Sequence, residues 1–408
     1  MKKLMMMAMM LVASATAFAG DSDALKAILK AKTYAEADAL MKSSLANLAN
    51  DAEKAKAYNK LVDLAYDAFM VQSTIQTENQ LNKQMGKEEK PVDENLMSEM
   101  AFNAISAAIE CDNYDKKPNE KGKVAPKFDK KNAERLWSTV RNQLVNAGQT
   151  AAQARDDEAT LKYWGLFMDS ELAPLFAACD RTAESEFIGQ VAYFAGDYAH
   201  KAGLKDKAKQ YFAVCANDAK AEAQFKDAAH INVLNMMKEG LTTKDDSLRV
   251  LEEYKQMLTQ KPDDELLLDV MYNYYGDLKD KAAQTALLDD ALARNPQSFI
   301  ALADKGFSLL EENPGEASKF LKRAFEVKPD NAMIAMYVGT SLSLQAQNTE
   351  DPAQKKAFYK DAITFYDKAK ELDPDMLQAK WGYNRYNAYY NYYGEDAPET
   401  KQAEAESH

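Results

Sequence analysis

The stretch 297–329, QSFIALADKGFSLLEENPGEASKFLKRAFEVKP, and the stretch 330–374 after it carry one pattern twice. In the first copy Gly306 is followed by Ala317, Ala324 and Pro329; in the second, Gly339 is followed by Ala362, Ala369 and Pro374. Each alanine pair is seven residues apart, and each proline comes five residues after the second alanine. Seven residues are about two helical turns, so each pair lies on one helix face, where small side chains let a neighbouring helix approach closely. Proline lacks an amide donor and disfavours helical geometry in the residue before it, so it ends the helix. The chain reads as helical hairpins repeated along the sequence.

Working outward, Pro262, Pro296 and Pro329 are 34 and 33 residues apart. Within 263–296, Ala291 and Pro296 fit the pattern, but Gln284 stands where a small residue is expected. Residues 189–220 place Ala192, Gly196, Ala199, Gly203, Ala208, Phe212 and Cys215 at matching intervals, with Lys220 in place of the closing proline. These spacings resemble the tetratricopeptide repeat (TPR), a helix–turn–helix unit of about 34 residues that stacks into a solenoid. The resemblance implies an all-α fold: a right-handed helical-hairpin solenoid of TPR-like repeats with a C-terminal capping helix. Units 189–220, 263–296, 297–329 and 330–374 carry it best.

The expected organisation has five parts. Residues 1–19 are a signal peptide, and 20–129 an N-terminal helical region with degenerate repeats and a Lys-rich loop. Residues 130–375 form the solenoid, 376–394 the capping helix, and 395–408 a disordered acidic tail. Lys2 and Lys3, the apolar run Leu4–Val12 and the small-x-small site Ala17-Phe18-Ala19 make up the signal. It implies export to the periplasm, with the extracellular space as the alternative. A later apolar run long enough to span a bilayer is missing, so no stable membrane insertion is expected. Removing the two lysines of the signal takes the formal charge from −13 to −15, which argues against nucleic acid as a partner. Seven lysines fall between Lys116 and Lys131, but interspersed carboxylates make a solvated insertion the simpler reading than a basic arm.

Nothing in the sequence points to catalysis, a metal or a cofactor. His200 and His230 are thirty residues apart, and no phosphate-binding loop, nucleophile elbow or zinc motif occurs. Cys111, Cys179 and Cys215 fit no metal spacing and read as buried small residues, with a disulfide as the other reading. Asp263-Asp264, after Pro262, is suited to a helix start, where carboxylates meet free amides.

The expectation is therefore a non-catalytic scaffold that binds a protein or peptide. By the resemblance, ligands lie against first helices, which singles out Gln190, Tyr193, Asp197 and His200, then Phe307 and Met336. The alternative partner is a glycan or the cell wall, met by the aromatic stretch 381–393, which has seven aromatics in thirteen residues. Tyr383, Tyr386, Tyr390 and Tyr393 form one helical stripe, expected to pack inward. That leaves Trp381, Tyr389 and Tyr392 as the expected outward platform.

Overall fold

A computed structural model describes residues 21–119, 122–182 and 186–407. The proposed signal, 1–19, lies outside the described residues. The described residues are all-α, with 19 α-helices and no strand. They divide into two compact units between Ala229 and His230. The expected boundary at 129/130 is not where the chain divides: the helix before it packs against the helices after it.

The first unit contains α1 (Asp23–Lys30), α2 (Tyr34–Ser44), α3 (Asp51–Gln84), α4 (Glu94–Asp115), α5 (Asp129–Trp137), α6 (Arg141–Gln153), α7 (Asp157–Leu172), α8 (Ile188–Lys201) and α9 (Lys205–Asn217). The division falls within α10 (Ala223–Lys238). Helices α3 and α4, α6 and α7, and α8 and α9 pack as consecutive pairs, and α4 also meets α6 and α7. Arg141, wholly buried, joins α6 to α7. Its Nε donates to Ser170 Oγ at 2.7 Å and its Nη2 to Glu171 Oε2 at 3.0 Å, while the guanidinium lies over the rings of Trp137 and Phe167. A buried cation needs such partners to offset its lost hydration. The Lys-rich loop is tied back to α4: Asp115 Oδ2 accepts the amides of Lys127 and Phe128.

The second unit continues with α11 (Lys244–Gln260), α12 (Glu265–Asp277), α13 (Lys281–Arg294), α14 (Phe299–Leu309), α15 (Pro314–Val327), α16 (Ala332–Gln347), α17 (Pro352–Leu372), α18 (Gly382–Tyr393) and α19 (Pro398–Ala405). The strongest packing is again between consecutive helices, α14 with α15 and α16 with α17. At the repeated glycines the paired helices approach closely. A Cβ on Gly306 would lie 2.6 Å from Leu321 Cγ, and one on Gly339 would lie 2.9 Å from the Tyr366 ring. Ala317, Ala324, Ala362 and Ala369 are all fully buried. The out-of-pattern Gln284 finds its own solution, donating from Nε2 to the Tyr272 carbonyl at 3.0 Å above Gly276.

A second periodicity links the repeats. Two residues after Pro262, Pro296 and Pro329 stand Asp264, Ser298 and Asn331. Each is the N-cap of the next helix, accepting the amide of Leu267, Ala301 and Ile334 respectively. Such caps satisfy amides that have no partner in the first turn of a helix. After Pro374 the rule breaks: Met376 has a positive φ of 53° and caps nothing.

The segment expected to be a disordered tail is ordered by α18. Thr400 and Ala403 of α19 are buried, and Thr400 Oγ1 donates to the Gly394 carbonyl at 2.8 Å. Glu406 accepts from Arg385 Nη1 at 2.9 Å and pairs with Lys370 at 2.7 Å. Short, acidic composition argued for disorder. These specific charge partners, out of reach of a composition argument, oppose it.

Candidate functional site

Gln190, Tyr193, Asp197 and His200 share one face of α8, because their spacing of three and four residues follows the helical turn. Gln190 is exposed; the other three are half-buried. Asp197 pairs with Lys201 at 2.6 Å, and that hydrogen bond leads the causes that raise the lysine's pKa. Tyr193 belongs to an aromatic group, its ring 5.3 Å from Phe194, 5.3 Å from Phe225 and 6.0 Å from Phe212.

In the second unit, Phe307 is half-buried on α14, and its ring meets Tyr337 of α16 edge-on at 4.8 Å. Met336 is not on that surface. It is 8% exposed and belongs to the apolar core with Ile334 and Val338, so its place as a partner-binding residue is corrected to a packing one.

The face formed by α12, α14 and α16 also holds residues that the sequence reading missed. Asp304 of α14 is half-buried, and its Oδ2 is shielded from solvent without a hydrogen-bond partner. Burial, then Asp269, then Glu265 push its carboxyl up to about 7. Asp304 in turn helps raise the phenol of the half-buried Tyr272 on α12, where burial is the larger cause. Glu265 is itself engaged, accepting the Ile300 amide at 2.8 Å. A lone aspartate inside the apolar run FIALADKGF was the signal that could have found Asp304.

At α18 the expected faces are reversed. Trp381 is 2% exposed, and its Nε1 donates to the Asp373 carbonyl at 2.8 Å. Tyr389 donates to Asp367 Oδ2 at 2.9 Å, and burial, then Asp367, push its phenol up to about 12. Tyr392 packs against the core, with Lys356 Nζ 5.1 Å from its ring centre. Tyr383, Tyr390 and Tyr393 are the exposed tyrosines instead. The cause is Arg385. Only 6% exposed, it donates from Nε to Asp367 at 2.7 Å and turns the Trp381–Arg385–Ala388–Tyr392 side inward. Trp381 is buried and Tyr389 and Tyr392 are half-buried, so these three do not form the expected outward platform.

Cys111 and Cys215 are buried thiols and Cys179 is half-buried; no disulfide joins them. Burial, then Asp115, pushes Cys111 up to about 12, and burial, then Asp218, pushes Cys215 up to about 11, so neither is a ready thiolate.

No family model matches the chain, and no curated protein matches it. Among solved structures, a tetratricopeptide repeat protein from Parabacteroides merdae ATCC 43184 is similar at 12% identity, covering 65% of this chain and 98% of that one, with a TM-score of 0.30. A chain of the Naa15/Naa10 structure bound to HypK-THB is similar at 15% identity with a TM-score of 0.28; the match covers 92% of this chain and 57% of that one. The TPR-like reading rests on the consecutive helix pairs and their glycine and alanine contacts, rather than on these superpositions.

Proposed function

We propose that the protein is an exported, non-catalytic scaffold of the bacterial cell envelope that binds a protein partner through a peptide segment. The observation that carries this reading is the surface of α12, α14 and α16. Tyr272, Asp304, Phe307 and Tyr337 are half-buried there, the three rings seated on the core with part of each left exposed. Rigid aromatic rings supply contact area at low entropic cost, and the half-buried Asp304 puts acidic character beneath them. An extended or helical peptide placing an apolar side chain against Phe307 and a basic one near Asp304 fits this surface. Export is supported by the charged start, apolar run and small-x-small site within Met1–Ala19.

The test is a pull-down from native envelope extract with residues 20–408 as bait, beside a Phe307→Ala/Tyr337→Ala variant. One partner held by the wild type and lost by the variant is the expected result. A partner held equally by both overturns the assignment of this surface.

A further inference from the structure

The tyrosines that α18 turns outward form a surface separate from the one above. Tyr383, Tyr386, Tyr390 and Tyr393 follow one another at helical spacing, and three of them are 66%, 41% and 48% exposed at positions 383, 390 and 393. The rings of Tyr386, Tyr390 and Tyr393 are held in place by contact with one another or with the inner face. Tyr386 and Tyr390 lie 6.2 Å apart; Tyr393 stacks on Tyr389 at 5.7 Å and meets Tyr392 edge-on at 4.6 Å. Four phenol rings lie on one helix face, and the three in ring contact are preorganised, so little ordering of these remains for a partner to impose.

The surroundings of the strip are acidic. Glu395, Asp396, Glu399 and Glu404, all exposed, follow within α19 and its lead-in loop. Arg385 is turned inward onto Asp367 and Glu406, and Lys401 is paired with Asp396 at 3.3 Å. At the other end of the strip, Lys380 donates its ammonium to the Met376 carbonyl. The carboxylates reach the rings: after burial, Glu404, Tyr390, Glu395 and Tyr383 keep the Tyr386 phenol above its ordinary value. The faces of tyrosine rings carry negative charge and attract cations, and the neighbouring carboxylates add to that field.

We propose that the outward tyrosine face of α18 is a docking surface for a cationic peptide, one that lays Arg or Lys side chains across Tyr383, Tyr386 and Tyr390 beside Glu395 and Glu404. This surface does not depend on the reading of α12, α14 and α16. The guanidinium of arginine suits it best, because it is planar and weakly hydrated.

The probe is a labelled twelve-residue Gly/Ser peptide with four interspersed arginines, titrated by fluorescence anisotropy into the full chain lacking residues 1–19. A Tyr383→Ala/Tyr390→Ala variant and a Glu395→Gln/Glu404→Gln variant are each expected to bind about ten-fold more weakly, with unchanged circular dichroism. A Phe307→Ala/Tyr337→Ala variant is expected to bind as the wild type does. Equal binding by the tyrosine variant overturns the proposal, since the acidic chain would then be collecting arginines by charge alone. Loss of binding in the Phe307/Tyr337 variant also overturns it, while leaving the scaffold reading intact. Displacement of the peptide by a neutral chitooligosaccharide, with no effect of the glutamate substitutions, overturns it in favour of a glycan.

Discussion

The two repeat hairpins, α14–α15 and α16–α17, and the terminal pair α18–α19 are all consecutive helices in one unit, yet they are held by different forces. In the repeats the helices approach over Gly306 and Gly339, and buried alanines line the contact. At the terminal pair a close approach at Gly382 and buried Ala388 and Ala403 are joined by a charge network that also reaches back to α17: Arg385 to Asp367 and Glu406, and Glu406 to Lys370. Shape complementarity repeats whenever the same small residues return at the same spacing. A charge network does not repeat, because each pair needs two particular charged side chains in place rather than a spacing of small residues. The repeats are therefore uniform, and the terminus is particular.

The largest expected effect strikes the shape side of this comparison. Gly306→Val puts a branched side chain where even a Cβ comes within 2.6 Å of Leu321 Cγ, and it should destabilise the second unit by about 3 kcal/mol in urea unfolding. A loss below about 1 kcal/mol would mean that the hairpin can open at no real cost.

Arg385→Met strikes the charge side. It leaves Asp367 and Glu406 without their guanidinium, and because both carboxylates remain partly exposed the expected loss is about 2 kcal/mol. Its distinctive sign is local: amide exchange and proteolysis should rise at 395–407 while 297–374 keeps its protection. Uniform loss across both regions would erase the distinction between them.

Asp304 sharpens the comparison, being a charge placed within the repeats without the partners that Arg385 enjoys. Folding raises its carboxyl from the usual carboxylate range to about 7, so the folded chain holds an extra proton between about pH 4 and 7. Its contribution to stability therefore falls as pH rises through that window. Asp304→Asn should leave stability unchanged near pH 4 and raise it by about 2 kcal/mol at pH 8, measured by paired urea titrations. An equal gain at both pH values would assign the effect to something other than the buried charge.

What was legible in the sequence follows the same line. Gly306, Ala317, Ala324 and Pro329 could be read because packing by small residues depends on spacing alone. Asp264 at the start of α12 could be read because a cap acts within one turn. Trp381, Tyr389 and Tyr392 were placed on the wrong face because seven aromatics offer no hydrophobic contrast along the helix. The deciding residue, Arg385, looks on paper like a solvent residue. Met336 was misplaced by carrying a groove position over from the family, when its own neighbours Ile334 and Val338 already marked a buried stretch. The ordered segment 395–407 depended on Glu406 meeting Arg385 and Lys370, which no local pattern reveals.

Asp373 has a bearing on how such a chain can grow by gene duplication. At Pro262, Pro296 and Pro329, the chain leaves one helix and meets a cap two residues later, so a segment cut at any of these junctions and copied would rejoin with its helix start intact. The junction at Pro374 is not interchangeable with them. The Asp373 carboxylate is already taken by the amides of Leu377, Gln378 and Ala379, and its carbonyl by Trp381. Recombination can lengthen the array upstream of Asp373, while new tiles added after it would inherit no starting point.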